Sequence, residues 1–166
     1  MVRAQPYQMA SFINRMQRFA RIPLLVAGDF ERGPSMRLDG VTIFPHAMAF
    51  GAAGDSALTR RFGEATACEA RALGIHWILA PSADVNSDPA NPVINLRSFG
   101  ESPRRVSEHV TAFVRGVQEN GHCPLLATVK HFPGHGDTSV DSHFGLPRIE
   151  KPETELESVD LPPFVA

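Results

Sequence analysis

Three short apolar runs, each ending in polar residues, constrain the fold of this chain more than any other feature. They are PLLVAGD (residues 23–29), IHWILAPSADV (75–85) and PLLATVKHF (124–132). A run without apolar–polar alternation is typical of a strand whose two faces are both buried, as in a parallel sheet. The sequence therefore predicts three parallel strands.

Amphipathic helices are predicted before, between and after these strands. Apolar residues recur at spacings of three and four over residues 9–19, which predicts a first helix that ends near Pro23. Capping residues mark three more helices, namely Asp55 or Ser56 to Gly74, Ser102 with Pro103 to Gly121, and a last helix that begins at a capping box of Thr154 and Glu157.

This alternation favours an α/β fold with a parallel sheet and right-handed crossovers. The two candidates are a (β/α)8 TIM-type barrel and an open doubly wound sheet. Neither GxGxxG nor GxxxxGK[ST] follows the first strand, so the nucleotide-binding open sheet lacks its usual marker. Barrels build active sites at the carboxyl ends of their strands, where the polar residues lie here. A barrel typically takes about 250 residues, so residues 1–166 are expected to be one partial barrel domain, about half of a barrel.

Composition excludes several classes of function. Sixteen Lys and Arg residues against eighteen Asp and Glu residues give a net charge of −2, with no basic stripe for nucleic acid. No apolar run approaches the roughly 20 residues of a membrane span, and the first residues lack the pattern of a signal peptide. We expect no nucleic-acid partner and no membrane span. The oligomeric state stays open.

The two cysteines, Cys68 and Cys123, lie far apart and outside any CxxC spacing. They predict neither a zinc ribbon nor a disulfide framework, and a reducing compartment fits them best. Cys68 lies on a helical apolar pattern, which favours a small core residue. The expected location is therefore the cytoplasm.

The segment KHFPGHGDTSVDSHFGLP (residues 130–147) concentrates titratable side chains directly after the third strand. A metal site is one interpretation, since His131 and His135 are four apart and His143 follows with acids nearby. Pro133 and the glycines interrupt any helix there, so no metal and no cofactor are expected. The other interpretation is Asp141 orienting His143, because side chains two apart in an extended segment point the same way.

KHFPGHG followed by DSH resembles glycoside hydrolase family 3, in particular its bacterial β-N-acetylglucosaminidases. Further segments resemble family blocks in the same order, namely PLLVAGDFERGPSMRL, GVTIFPHAMAFGAAGD and LAPSADVN with NLRSFGESP. The resemblance implies that His143 is the general acid/base and Asp141 its partner. It also implies that five residues hold the sugar ring: Asp29, Arg37, Arg97, Lys130 and His131. His131 bracing the loop is the alternative for that residue.

Two positions depart from the family pattern. Arg32 stands where the pattern has glycine, which reshapes the first loop or adds a cationic contact. The family's nucleophile is an Asp in an S-D-D-L/M-like segment, and this sequence contains no such segment. Asp160 resembles a helix-end residue instead. The chain by itself is therefore expected to be inactive.

The resemblance implies a retaining glycosidase that removes terminal β-linked N-acetylglucosamine by double displacement, with muropeptides of cell-wall recycling as the expected substrates. Three alternatives stay open. A phosphorylase of the same family would use phosphate instead of water, because a neutral His143 puts no negative charge in its path. A non-catalytic carbohydrate-binding remnant would also lack the nucleophile, and a metal-dependent hydrolase would use the histidines as ligands.

Overall fold

The computed structural model describes residues 4–140 and 145–166 and has the helix–strand alternation that the sequence predicts. The helices are α1 (Pro6–Phe19), α2 (Ala47–Ala53), α3 (Ser56–Ala72), α4 (Pro103–Gln118), α5 (Glu153–Glu155) and α6 (Pro162–Val165). The strands are β1 (Ala27–Gly28), β2 (Trp77–Ile78) and β3 (Leu126–Ala127). Two 3-10 helices (Pro34–Met36 and Asn95–Arg97) and a π-helical turn (Leu156–Asp160) complete the elements.

The three strands form one parallel sheet in the order β1-β2-β3. Ala27 pairs with Trp77, and Trp77 pairs with Leu126, so the strands are in register at their first residues. An isolated parallel bridge between Ser82 and Lys130 continues the alignment beyond β2 and β3. This topology confirms the predicted parallel sheet and brings the carboxyl ends of all three strands to one edge.

The strands are shorter than the apolar runs that predicted them. Beyond β2, Pro81 has no N–H to offer to a ladder. The polar residues that follow bond through their side chains instead, as when Ser82 Oγ donates to Asp84 Oδ2 at 2.8 Å. The polar end of each run thus belongs to the loops that build the site.

Helices α3 and α4 begin where the sequence places them. Asp55 is the N-cap of α3, and its Oδ1 accepts a hydrogen bond from the N–H of Ala57 at 2.9 Å. Pro103 is the first residue of α4, directly after Ser102. The predicted start of the last helix is wrong: the N-cap is Pro152, and Thr154 already lies inside α5.

Close packing of α3 on α4 forms the centre of the core. The ring centroids of Phe62 and Phe113 are 5.1 Å apart. A Cβ on Gly116 would lie 2.1 Å from the carbonyl oxygen of Arg60, so the helix backbones approach more closely than a side chain would permit. Buried His109 pairs with Thr59 across the same interface at 2.7 Å, and burial lowers the pKa of His109.

Cys68 and Cys123 form a disulfide, with their Cα atoms 5.0 Å apart. The crosslink ties α3 to the loop that precedes β3. The expectation of two unpaired cysteines is therefore wrong, and Cys68 is exposed and not a core residue. The two positions are 55 residues apart in sequence and become neighbours only through the packing of the fold.

No helix among the described residues has both the length and the apolar character that a membrane span requires.

Candidate active site

The polar residues that follow the three strands meet at one edge of the sheet. Asp29 directly follows β1, Asp84 lies beyond β2, and Lys130 lies beyond β3. Parallel strands place their carboxyl ends on the same side, which is where α/β barrels assemble their active sites. The sheet therefore supplies the geometry that gathers these charges.

A network of short ion pairs joins the loops after β1 and β3. Lys130 Nζ lies 2.8 Å from Asp29 Oδ1 and 2.9 Å from Glu31 Oε1. Arg37 Nη2 donates to the other oxygen of Asp29 at 2.6 Å. Arg97 donates to both oxygens of Glu31, at 2.9 and 2.7 Å, which is the bidentate geometry of a strong pair.

Burial and the neighbouring cations shift the pKa of Glu31 in opposite directions. Its side chain is only 8% exposed, and burial by itself would raise its pKa. The hydrogen bonds and charges of Arg97 and Lys130 outweigh burial and lower the pKa of Glu31 to about 2. Glu31 is therefore a fixed negative charge that holds two cations in place at neutral pH.

Asp84 organises the loop after β3 from beneath. It is fully buried, and its Oδ1 accepts a hydrogen bond from the N–H of His135 at 2.8 Å. Its Oδ2 lies 2.7 Å from Nδ1 of His131 and also accepts from Ser82. One carboxylate thus fixes both the backbone of the loop and the orientation of an imidazole that faces the ion-pair network.

The neighbours of His131 determine its tautomer. Nε2 of His131 lies 3.2 Å from Nη2 of Arg97. A guanidinium only donates hydrogen bonds, so Nε2 accepts, and the ring proton lies on Nδ1, toward Asp84. The imidazole of His131 therefore links the buried carboxylate of Asp84 to the guanidinium of Arg97.

A cavity of about 280 Å³ opens beside this network. Its lining includes Asp29, Glu31, Arg32, Met36, His46 and Arg97. A larger cavity of about 480 Å³ lies between α3 and α4, but it lacks the converging acids and cations of the strand ends. The smaller cavity has the polar groups needed to hold and orient a hydroxyl-rich ligand.

A second charged cluster supports the loop after β3 from behind. Lys151 Nζ lies 2.8 Å from Asp137 Oδ2 and also pairs with Asp160. The side chains of Lys151 and Asp160 are almost completely buried. Burial opposes the charge of Lys151, but the two carboxylates outweigh it and raise the pKa of Lys151. A Cβ on Gly134 would lie 2.7 Å from Asp160 Oδ1, so this loop rests directly on the cluster.

The histidines of the loop after β3 are not gathered into a metal site among the described residues. Within residues 4–140 and 145–166, no three His, Cys, Asp or Glu side chains converge as metal ligands. The rings of His131 and His135 lie 6.1 Å apart and nearly perpendicular, and Nδ1 of His135 pairs with the hydroxyl of Thr138. The remaining candidate ligands, Asp141 and His143, lie outside the described residues.

Residues 4–166 match the sequence profile of the glycosyl hydrolase family 3 N-terminal domain. The chain belongs to this family. It is 40% identical over 95% of its length to β-hexosaminidase A of Pseudoalteromonas piscicida. It superimposes with a TM-score of 0.90 and 44% identity on a family 3 β-N-acetylglucosaminidase from Paenibacillus sp. FPU-7, and with a TM-score of 0.79 and 33% identity on the β-glucoside phosphorylase BglX.

The chain covers only part of each of these family 3 proteins. It spans 27% of the Pseudoalteromonas protein, 31% of the Paenibacillus chain and 25% of the phosphorylase chain, while 97% and 85% of the present chain align to the two structures. The family and the high TM-scores confirm the α/β, barrel-type fold that the sequence predicts.

The structure brings together five of the seven site residues expected from the family 3 resemblance. Those five are Asp29, Arg37, Arg97, Lys130 and His131. Their contacts to a sugar stay a prediction, as does the bracing role of His131, although its bonds to Asp84 and Arg97 are those of a brace. The expected acid/base pair, Asp141 and His143, falls outside the described residues.

Sequence reasoning missed the part that three residues play in the candidate site. Glu31 stands two positions after Asp29, and that spacing was the available signal. Asp84 was noted only as part of a polar strand end. Asp160 is the last residue of the π-helical turn, as the sequence indicates, but its burial against the loop after β3 was not predicted.

Proposed function

We propose that this chain is part of a retaining glycoside hydrolase that removes terminal β-linked N-acetylglucosamine, with residues 1–166 forming part of its catalytic barrel domain. The observation that carries the proposal is the convergence of Asp29, Arg97 and Lys130 beside one cavity in a family 3 chain. The names of the similar β-hexosaminidase and β-N-acetylglucosaminidase support the choice of sugar.

The ion-pair network is suited to binding hydroxyl groups. Asp29 is held by Lys130 and Arg37, and its carboxylate accepts further hydrogen bonds from sugar hydroxyls. Lys130 keeps donor capacity beyond its two acids. Because both groups are already positioned, a sugar gains directional, charge-assisted bonds without reorganising the site.

The chemical step is assigned through the family resemblance. Protonated His143 donates to the departing glycosidic oxygen while an Asp of the missing S-D-D-L/M-like segment attacks the anomeric carbon. Neutral His143 then takes a proton from water, which breaks the covalent intermediate with net retention. Asp141 orients the imidazole and stabilises its charged form. The 166-residue chain by itself is predicted to be inactive, because it lacks that nucleophile segment.

The proposed substrates are muropeptides released during cell-wall recycling. Their terminal N-acetylglucosamine carries hydroxyl groups that the acids and cations of the network can hydrogen-bond, and one sugar ring is small enough for a cavity of about 280 Å³. The disulfide between Cys68 and Cys123 removes the cysteine argument for a reducing compartment, so the cytoplasmic location stays a prediction without that support.

A phosphorylase is the second candidate. It is favoured by the 33% identity to a protein named β-glucoside phosphorylase. Inorganic phosphate would then attack the glycosyl-enzyme where water attacks in the hydrolase, and the product would be a sugar 1-phosphate instead of a free sugar.

The test is turnover of 4-nitrophenyl N-acetyl-β-glucosaminide by the whole natural protein, with the product analysed by proton NMR in the presence and absence of phosphate. We expect β-configured N-acetylglucosamine as the first product. Lys130→Met is expected to lower kcat/KM by roughly tenfold or more, as for the loss of a charge-assisted bond, while Arg104→Gln on the exposed face of α4 has no effect. A sugar 1-phosphate as the main product would favour the phosphorylase, and no turnover by a folded protein would favour the non-catalytic remnant.

A further inference from the structure

Arg32 lines the cavity beside the ion-pair network and is not used by it. Its backbone is anchored, because its N–H contacts Met36 Sδ at 3.2 Å and its carbonyl accepts from Ser35 Oγ at 3.2 Å. Its side chain forms no hydrogen bond or salt bridge to any residue in the ranges 4–140 and 145–166. The residue is half-buried, so this guanidinium is only partly hydrated and has donors to spare.

Arg32 lies outside the ion pairs that join the loops after β1 and β3. The interlocked side chains comprise three carboxylates and three cations, namely Asp29, Glu31, Asp84, Arg37, Arg97 and Lys130. Within this set the three carboxylates balance the three cations. Asp39 lines an adjoining small cavity with Arg32 but forms no salt bridge with it. Two arginines line the cavity of about 280 Å³: Arg97 is paired with Glu31, whereas Arg32 has no side-chain partner among residues 4–140 and 145–166.

His46 lies within electrostatic reach of the same guanidinium. Burial and the charge of Arg32 lower the pKa of His46, and they outweigh the opposite effect of the nearby Glu31 carboxylate. Both side chains line the cavity of about 280 Å³, together with Asp29, Glu31 and Arg97. The guanidinium of Arg32 and the imidazole of His46 both line this cavity and offer N–H donors to a planar or tetrahedral oxyanion.

We propose that Arg32 is an oxyanion-binding, specificity-determining residue that holds a carboxylate or phosphate next to the bound sugar, a role that rests on the glycosidase function proposed above. The oxyanion has two sources: a carboxylate on the group attached to the sugar, or free phosphate in solution. The family pattern has glycine at this position, so the contact is not part of that pattern. An arginine fork binds either group in two-point fashion, which a glycine in that position cannot do.

The first arm of the test compares two substrates that differ only in charge. They are N-acetylglucosaminyl-β-1,4-N-acetylmuramic acid, whose lactyl group carries a carboxylate, and its methyl ester. The ratio of kcat/KM for the acid to that for the ester is measured on the whole natural protein. We expect Arg32→Gln to lower this ratio roughly tenfold, within the range for hydrogen bonds to charged groups. Arg32→Lys should keep part of the preference, and Arg104→Gln, which removes an exposed arginine of α4, should keep all of it.

The second arm measures binding without turnover. Calorimetric titration with inorganic phosphate and with N-acetylmuramic acid is expected to show binding to the unchanged protein and about tenfold weaker binding to Arg32→Gln. If phosphate binds but the ratio of kcat/KM shows no preference for the acid substrate, the oxyanion is free phosphate. If the acid substrate is preferred but phosphate does not bind, the oxyanion is the carboxylate of the group attached to the sugar.

The outcomes separate this proposal from the proposed function. In one outcome both substrates are cleaved, the acid-to-ester ratio of kcat/KM is the same in the unchanged protein and in Arg32→Gln, and phosphate and N-acetylmuramic acid bind equally well to both. That outcome refutes the role of Arg32 but leaves the glycosidase function standing. If neither substrate is cleaved but both probes lose affinity in the variant, the oxyanion site stands and the glycosidase function fails.

Discussion

Replacing Glu31 by Gln tests the electrostatic logic of the site, because Glu31 holds both Arg97 and Lys130. Its pKa is lowered from 4.5 to about 2 in the folded protein. Each pKa unit is worth about 1.4 kcal/mol, so the ionised form contributes about 3 kcal/mol to the free energy of unfolding at neutral pH. Glu31→Gln is expected to lower that free energy by about this amount at pH 7.

The sign of the pH dependence follows from the depressed pKa. The contribution is complete above the unfolded pKa of 4.5 and is lost as the pH falls toward the folded pKa of about 2. About 2 kcal/mol of it is lost by pH 3. The difference between the unchanged protein and Glu31→Gln should therefore shrink by about that amount between pH 7 and pH 3.

The assay is equilibrium urea unfolding followed by circular dichroism at both pH values. Glu64→Gln is the matched control, because Glu64 forms an exposed pair with Arg60 on α3. Exposed pairs contribute at most about 1 kcal/mol, so this variant should change little at either pH. A constant difference between the unchanged protein and Glu31→Gln from pH 7 to pH 3 would refute the reasoning.

Three further predictions concern the frame that carries the site. Denatured, unreduced protein should have no reactive thiol on Cys68 or Cys123, and reduction should lower the free energy of unfolding by about 2–4 kcal/mol. Mass spectrometry after thiol labelling checks this, and labelling of both cysteines without reductant would contradict the crosslink. Because burial lowers the pKa of His109, the free energy of unfolding should fall as the pH drops below about 6.5. In urea titrations His109→Gln should make this fall smaller, and an unchanged dependence on pH would be evidence against the buried, neutral ring. Gly116→Ala places a Cβ 2.1 Å from the carbonyl oxygen of Arg60 and should cost about 2 kcal/mol or more through overpacking; a stability gain in the same titrations would show that α3 and α4 do not pack this closely.

Periodicity and capping predict the fold because they are local. Asp55 and Pro103 mark the starts of α3 and α4 through their own backbone chemistry, and the apolar runs contain β1, β2 and β3. The last helix departs from its predicted cap at Thr154, because Pro152 is the N-cap and the π-helical turn follows at once.

Local sequence patterns do not predict contacts between residues that are distant in sequence. The bond of Asp84 to His131 joins loops after different strands, and the pairing of Cys68 with Cys123 depends on how α3 packs near β3. The five sugar-binding candidates were found through the family resemblance. The position of Arg32 outside the ion pairs likewise depends on contacts between distant segments, which no local pattern contains.

The most direct test of the proposed mechanism is the dependence of His143→Ala on the leaving group in the whole natural protein. Values of kcat/KM are measured for 2,4-dinitrophenyl N-acetyl-β-glucosaminide, which needs no protonation, and for chitobiose, which does. General acid catalysis is worth roughly 10²–10⁴-fold, so chitobiose should slow by that order while the dinitrophenyl substrate slows far less. Equal slowing of the two substrates would contradict the acid role of His143.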